Sequence, residues 1–367
     1  MSRMEDEKKY RRLADDKSHR RLEELPPKQR RKKKRTLKTA LLTVLVLLLL
    51  LGVSGWAIAN HYIGKIQKEG EGDIEIVPPD KETFERDDNT GEGQDPQEDP
   101  PEEDPKQEIL PDLSTLPKLN DEKLLNILLV GEDRRPGQTG RQRSDSMILC
   151  SINQSTGKVS LVSFLRDTYV ELPGDYSPNR LNAAYAFGGF PMLKQTLLEN
   201  FGVHVDGCFR VDFASFEQVI DIVGGVDIEL SAAEAEIVGG GAVAGTNHLN
   251  SAQALTYARI RHLDSDFGRT ARQRKVLTAI FNNIRHCSVG ELTNLANAVL
   301  PNMGTDMSNG QIMDLIAKCA PMISKVQLST YNIPTTAACR NATIRGMAVL
   351  VPDLVQIREL LKTILPF

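Results

Sequence analysis

Three runs decide the fold: LLNILLV at 124–130, SMILCSI at 146–152 and VSLVSFL at 159–165. Each is short, rich in Ile, Leu and Val, and bounded by turn residues such as those at 153–157, which is the pattern of a buried strand. The connections, an eleven-residue loop at 134–144 and a tight turn at 153–157, are too short to hold crossover helices, so an antiparallel meander is expected. In a meander the end of the first strand, the start of the second and the end of the third share one edge. Asp133, then Arg143, Ser144 and Asp145, then Arg166 and Asp167 arrive there. Two or three carboxylates among at least two guanidiniums suit either a surface ion-pair network or a divalent metal with a phosphate ligand.

Beyond the meander the pattern alternates. Helices are expected at 181–188 and 191–201, a strand near 205–211, a helix at 212–223 and a short strand at 226–230. Further helices follow near 250–258, 268–286, 290–300, 309–322 and 353–365, with strands near 326–332 and 345–351. This is an α/β pattern, a mixed sheet between helical layers, and residues 120–367 are long enough to form it as one domain.

A second cluster lies in the later part of this domain. Arg259 and Arg261 follow a helix that Asn250 can cap, and an extended chain there points both to one side. Arg269, Arg272 and Gln273, at i, i+3 and i+4, share a face near the positive end of the next helix, which begins at Asp266 or Gly268. Residues 134–274 hold 12 Arg and 2 Lys, a bias that fits two-pronged recognition of phosphate by a planar fork. Together the two clusters favour a phosphate or pyrophosphate site over a solvated charged face.

The residues before 120 divide into three physical regimes. Residues 1–38 hold 16 Lys and Arg against 7 Asp and Glu, and read as a basic cytoplasmic tail. Residues 39–60 carry no formal charge and supply the roughly 20 apolar residues of one transmembrane helix, longer than the apolar region of a cleaved signal peptide. The basic run at 30–35 places the amino terminus inside and the domain outside, a single-pass arrangement that rules out a wholly soluble cytoplasmic protein. Its position beside the span favours this topogenic role over a nucleic-acid patch. Residues 61–119 are acidic and proline-rich, with Phe84 their only aromatic residue after Tyr62, and read as a disordered linker.

Several chemistries are disfavoured. None of the 6 His residues has metal-ligand spacing, and there is no Cys-x-x-Cys pair, phosphate-binding loop or Gly-x-Ser-x-Gly elbow. The run Gly239, Gly240, Gly241 reads as a flexible loop, with a mobile lid as the alternative. Five cysteines in an external domain leave at least one free or paired between molecules. Cys150 and Cys208 read as core, and Cys287, Cys319 and Cys339 leave room for one disulfide.

The ordered series GEDRR at 131–135, RSD at 143–145, RDTY at 166–169, RLNAAY at 180–185, VDF at 211–213, GGVD at 224–227, LN at 249–250, YARIR at 257–261 and DFGR at 266–269 resembles the LytR-CpsA-Psr family. The likeness is dense over 124–280 and weaker to the end. It implies a sheet sandwiched between helical layers and an external, Mg²⁺-dependent phosphotransferase, with Mn²⁺ as a substitute metal. Such enzymes move a glycopolymer phosphate (teichoic acid, capsular or other wall polysaccharide) from a polyprenyl-pyrophosphate carrier to peptidoglycan as a phosphodiester. By matching motif, Asp133 and Asp145 would hold the metal. Arg143, Arg166, Arg259 and Arg261 would act in catalysis, and Arg180, Arg269, Gln273 and Asp167 would bind substrate. Arg180 stands where the family commonly has Lys, and Leu165 where it often has Pro. Asp167 and Asp264 are the candidate general bases. A place for an apolar tunnel for the carrier's tail is offered by Phe213, Phe216, Val219, Ile220, Leu255, Val276, Leu277, Ile280 and Phe281, although residue by residue these read as plain core before tunnel. A lipid-linked pyrophosphatase using water, and a non-catalytic envelope regulator, stay open as alternatives.

Overall fold

The computed structural model describes residues 57–69, 110–116, 119, 124–132, 143–261, 263, 266–284, 286–319, 321 and 326–366. The chain divides into two compact units at His61, and the second, Tyr62–Phe367, carries all that follows. Its centre is a seven-stranded mixed sheet. The strands are β1 (Gln67–Lys68), β2 (Leu124–Glu132), β3 (Ser144–Asn153), β4 (Lys158–Phe164), β7 (Gly207–Asp212), β10 (Gly304–Thr305) and β11 (Gln327–Ile333), in the spatial order β1-β10-β7-β2-β3-β4-β11. Three two-stranded ribbons flank it: β5 (Tyr169–Val170) with β6 (Asn179–Arg180), β8 (Val226–Leu230) with β9 (Gly245–Leu249), and β12 (Cys339–Ile344) with β13 (Met347–Pro352). The helices are α1 (Leu181–Phe201), α2 (Phe213–Ile222), α3 (Ala232–Val238), α4 (Ser251–Arg259), α5 (Asp266–Ile284), α6 (Val289–Val299), α7 (Asn309–Cys319) and α8 (Leu354–Ile364).

The expected meander is present: β2 pairs antiparallel with β3, and β3 with β4. Glu132 faces Ser144 and Met147 faces Phe164, so the three strand ends share one edge. The runs carry Ile, Leu and Val at both alternate positions because both faces of the sheet are covered and alternate side chains go to opposite sides, with Asn126, Ser151, Ser160 and Ser163 as their buried polar residues. Leu128, Val130, Leu149, Val162 and Phe164 pack with α1 and α8. On the other face Leu125 and Ile127 meet Met307 and Ile312, and Ile148 and Leu161 meet Leu277 of α5.

The helix pair expected at 181–188 and 191–201 is present within α1, its two parts meeting at a kink at Gly188 and Gly189, whose dihedrals are not helical. The short elements β5, β6, α3, β9 and β12 were not foreseen. The β9 sequence, GTNHL, has a single large apolar residue and hence no strand signal of its own; pairing with β8 (Val226 with Leu249, Ile228 with Asn247) supplies it. The run Gly239, Gly240, Gly241 follows α3 with φ of 64°, 64° and 85°, where glycine is the residue without a Cβ penalty. Gln253 Nε2 donates to the Gly239 carbonyl at 3.2 Å, so this turn is fastened to α4. All five cysteines are free, and the disulfide considered among Cys287, Cys319 and Cys339 is absent.

The folded unit also extends beyond 120–367. Ile63, Ile66, Leu110 and Leu116, which the sequence reading assigned to the linker, are buried against it, and residues 70–109 lie outside the described set. The expected span at 39–60 also falls, up to residue 56, outside the described residues. Among the described residues no helix is long and apolar enough to cross a membrane.

Asn250 caps α4 as expected: it accepts from Gln253 N at 2.9 Å, and Gln253 Oε1 accepts from Asn250 N. Replacing Asn250 by Ala should lower unfolding free energy by about 1 kcal/mol in urea titrations, because the Gln253 N–H in the first turn loses the side-chain oxygen that accepts from it.

Candidate functional site

The site is built where the three strand ends meet the starts and ends of helices. Asp145, on the second residue of β3, receives a hydrogen bond from Arg166 Nη1 at 2.9 Å and one from Arg261 Nη2 at 3.3 Å. Its backbone carbonyl accepts from Arg269 Nη2 at 3.3 Å. These three guanidiniums come from the turn after β4, the chain after α4 and the first turn of α5, so the two arginine clusters of the sequence converge on one aspartate. Arg166 also lies 3.5 Å from Asp167 Oδ2 and 3.8 Å from Asp266 Oδ1. Arg180 is 3.8 Å from Asp167 Oδ1 and donates its Nε to the Ala348 carbonyl at 3.0 Å, so the β12–β13 hairpin fixes it from behind.

A cavity of about 170 Å³ opens beside this cluster. One part of its wall is charged or polar: Asp145, Arg259, Arg261, Arg269 and Gln273. The other is apolar, with Leu129, Ile148, Phe216, Leu255 and Leu277. Arg259 and Arg261 therefore face one space, as their spacing predicts. Gln273 Oε1 and Arg269 Nε are buried without hydrogen-bond partners among the described residues. Such buried polar atoms in a cavity wall are places a polar ligand would satisfy.

Of the tunnel residues, Phe216, Leu255 and Leu277 line this cavity. Ile220, Val276 and Ile280 instead belong to a separate buried core, with Val219 packed against it. The side chain of Phe213 lies outside the described residues, as do Asp133 and Asp264. Arg143 stands directly before β3, two residues from Asp145, and is absent from the cavity wall.

Asp266 is the member of the site that sequence reasoning used only as a helix start. It pairs with Arg269 and approaches Arg166, and its Oδ2 is buried without a hydrogen-bond partner among the described residues. Its signal was its place in the DFGR run between two sets of arginines. Burial raises its carboxyl above the ordinary range, and Asp167 and Asp145 add to this against Arg269 and Arg166. For Arg166 burial opposes the charge, but Asp167, Asp145 and Asp266 outweigh it and raise its pKa. Burial lowers that of Arg269 despite Asp266.

A carboxyl whose folded pKa is raised contributes stability that is complete below its unfolded value and is lost as pH rises through the folded one. Asp266→Asn removes that loss. The variant's stability relative to the parent should therefore rise between about pH 4 and pH 7, as read from urea midpoints at both values. A relative fall would mean that the two arginines outweigh burial.

The model of the LytR_cpsA_psr family matches residues 87–364. The chain is 33% identical over 201 residues to the polyisoprenyl-teichoic acid–peptidoglycan teichoic acid transferase TagU of Bacillus cereus, covering 54% of this chain and 65% of that relative. It is 37% identical over 210 residues to TagU of Oceanobacillus iheyensis, covering 54% and 64%. The matched region thus spans just under two thirds of these relatives' length. Among solved structures, a Streptococcus agalactiae protein is 28% identical with a TM-score of 0.55, over 66% of this chain and 88% of that one. TagV of B. subtilis is 27% identical with a TM-score of 0.51, over 67% and 98%. Since the family model takes in the meander, both arginine clusters and the cavity between them, the chain belongs to the LytR_cpsA_psr family.

Proposed function

We propose that this chain is a membrane-anchored, external transferase. It moves a glycopolymer phosphate from a polyprenyl-pyrophosphate carrier to peptidoglycan and leaves a phosphodiester. The observation that carries this reading is the two-natured cavity, arginine-rich beside Asp145 and apolar around Phe216, Leu255 and Leu277, which is complementary to a ligand with a pyrophosphate head and a hydrocarbon tail. The TagU relatives are named for transfer of teichoic acid to peptidoglycan.

In this reaction the acceptor hydroxyl oxygen attacks the phosphorus that bears the glycan. The bond from that phosphorus to the bridging oxygen breaks, polyprenyl phosphate leaves, and the hydroxyl proton passes to a base. Arg259, Arg261 and Arg269 would hold the pyrophosphate and stabilise charge developing on the leaving phosphate. Asp145 keeps Arg166 and Arg261 in place, which is the positioning such transfers depend on. Asp167, 24% exposed and beside Arg166, is within reach of solvent and is the described candidate for the base.

Among the described residues no group of three or more His, Cys, Asp or Glu side chains is placed to hold a metal. The Asp145 carboxylate, held by Arg166 and Arg261, is the kind of oxygen donor that Mg²⁺ uses, since the ion commonly takes one or two carboxylates with substrate phosphates and retains water; Asp133, the second carboxylate expected for it, lies outside the described residues. When bound there, Mg²⁺ supplies neutralisation of the pyrophosphate oxygens.

Mass spectrometry of products tests the reading. Purified protein with a lipid-pyrophosphate glycan, Mg²⁺ and a peptidoglycan oligomer should yield the linked phosphodiester. Free glycan phosphate alone would establish hydrolysis instead, and unchanged substrate would leave a binding role.

A further inference from the structure

We propose that Glu69 is a positioning residue for the end of β2, the strand end from which Asp133 follows, and that it acts through Arg210 and Glu132. This rests on the metal role given to Asp133 above.

Arg210, on β7, has a side chain only 5% exposed. Its Nε lies 2.6 Å from Glu69 Oε1, and its Nη1 lies 3.6 Å from Oε2 of Glu132, which is completely buried. Tyr185 on α1 donates its hydroxyl to Glu69 Oε2 at 3.2 Å. β7 runs parallel beside β2 with Val130 opposite Arg210, so Arg210 reaches along the strand to Glu132. None of these residues lines the cavity, and the bulge between Gly131 and Glu132 sets the strand's last residue apart from regular pairing.

The segment that brings Glu69 here is held by its own contacts. β1 pairs with β10, Gln67 Nε2 donates to the Pro301 carbonyl and Lys68 Nζ to the Met307 carbonyl, each at 2.9 Å, and Ile63 and Ile66 are buried. Gly304 makes the seat possible: a Cβ there would collide with Glu69 Oε1 and stand 3.0 Å from Arg210 Nε. A buried carboxylate such as Glu132 is tolerated only with its charge matched and its partner held in place. Arg210 is one of the groups that face this carboxylate, and Glu69 fixes its guanidinium. If Glu69 is lost, Arg210 gains freedom, and the strain falls on the last residue of β2. Ångström-scale displacement of a catalytic group is enough to matter.

The test uses the full chain in lipid nanodiscs, with Glu69→Gln, Gly304→Ala and the charge-retaining Glu69→Asp. Hydrogen exchange should accelerate about tenfold in the peptide spanning 127–133 for the first two variants. Affinity for Mn²⁺, the metal probe, followed by electron paramagnetic resonance, should weaken about tenfold in the same two. Glu69→Asp should recover most of both. Acceleration confined to 62–69 and 304–305 overturns the proposal, as does an Mn²⁺ affinity unchanged from a wild type that binds the ion. If the wild type binds no Mn²⁺, the metal reading fails instead, and faster exchange at 127–133 still supports the link from Glu69 to β2.

Discussion

Replacing Arg261 by alanine should reduce transfer about 10²–10³-fold while the domain stays folded. The side chain is 40% exposed, lines the cavity and touches Asp145 at 3.3 Å, so it contributes charge to the site and little to the core. Its removal should move the melting temperature by no more than about 2 °C. Arg261→Lys keeps the charge without the fork and should recover part of the activity. A melting point lowered enough to explain the whole loss would return this arginine to a structural role. The comparison needs only initial rates with the lipid-pyrophosphate donor and a thermal scan of the same samples.

The second large effect concerns the metal. Asp145→Asn removes a formal charge with little change of shape, and should lower Mg²⁺-dependent transfer at least about 100-fold while binding of the lipid tail survives. Asp133→Asn should behave alike. The double variant should be little worse than either, because residues that act as one unit are not additive. Two titrations decide it: Mg²⁺ against transfer rate, and lipid pyrophosphate against intrinsic fluorescence. Full activity in chelator, or wild-type Mg²⁺ dependence in both variants, would show that Asp145 only neutralises Arg166 and Arg261. Asp145 accepts from both guanidiniums, so the fluorescence titration also reports whether their release weakens binding of the pyrophosphate head.

Much of this site was legible in the sequence, and for a definite reason. Loop lengths alone forced the meander, and the meander forced Asp145 and Arg166 to one edge. The spacing of Arg259 and Arg261 then placed both on one wall, and the register of Arg269 and Gln273 on α5 brought them to the same cavity. What could not be read was contact between distant segments that carry no periodic signal. Nothing in the sequence around Glu69 announces that it meets Arg210, since two residues of strand are too few to show alternation. The same holds for the Ala348 carbonyl behind Arg180. The tunnel residues were divided between cavity and core by packing, which composition does not encode: Leu277 and Val276 are neighbours on one helix and face different spaces.

Strand β1 has a further consequence, for handling the protein rather than for its chemistry. Among the described residues it is the last strand at its side of the sheet, and the residues leading into it cover Leu125, Ile127, Met307 and Ile312. A version trimmed to begin after residue 69 would bare the backbone groups of β10 together with that greasy patch. Open edges beside apolar surface are templates for sticking to another copy. Such a trimmed domain should form concentration-dependent aggregates in light scattering, whereas one that begins at Tyr62 should stay dispersed.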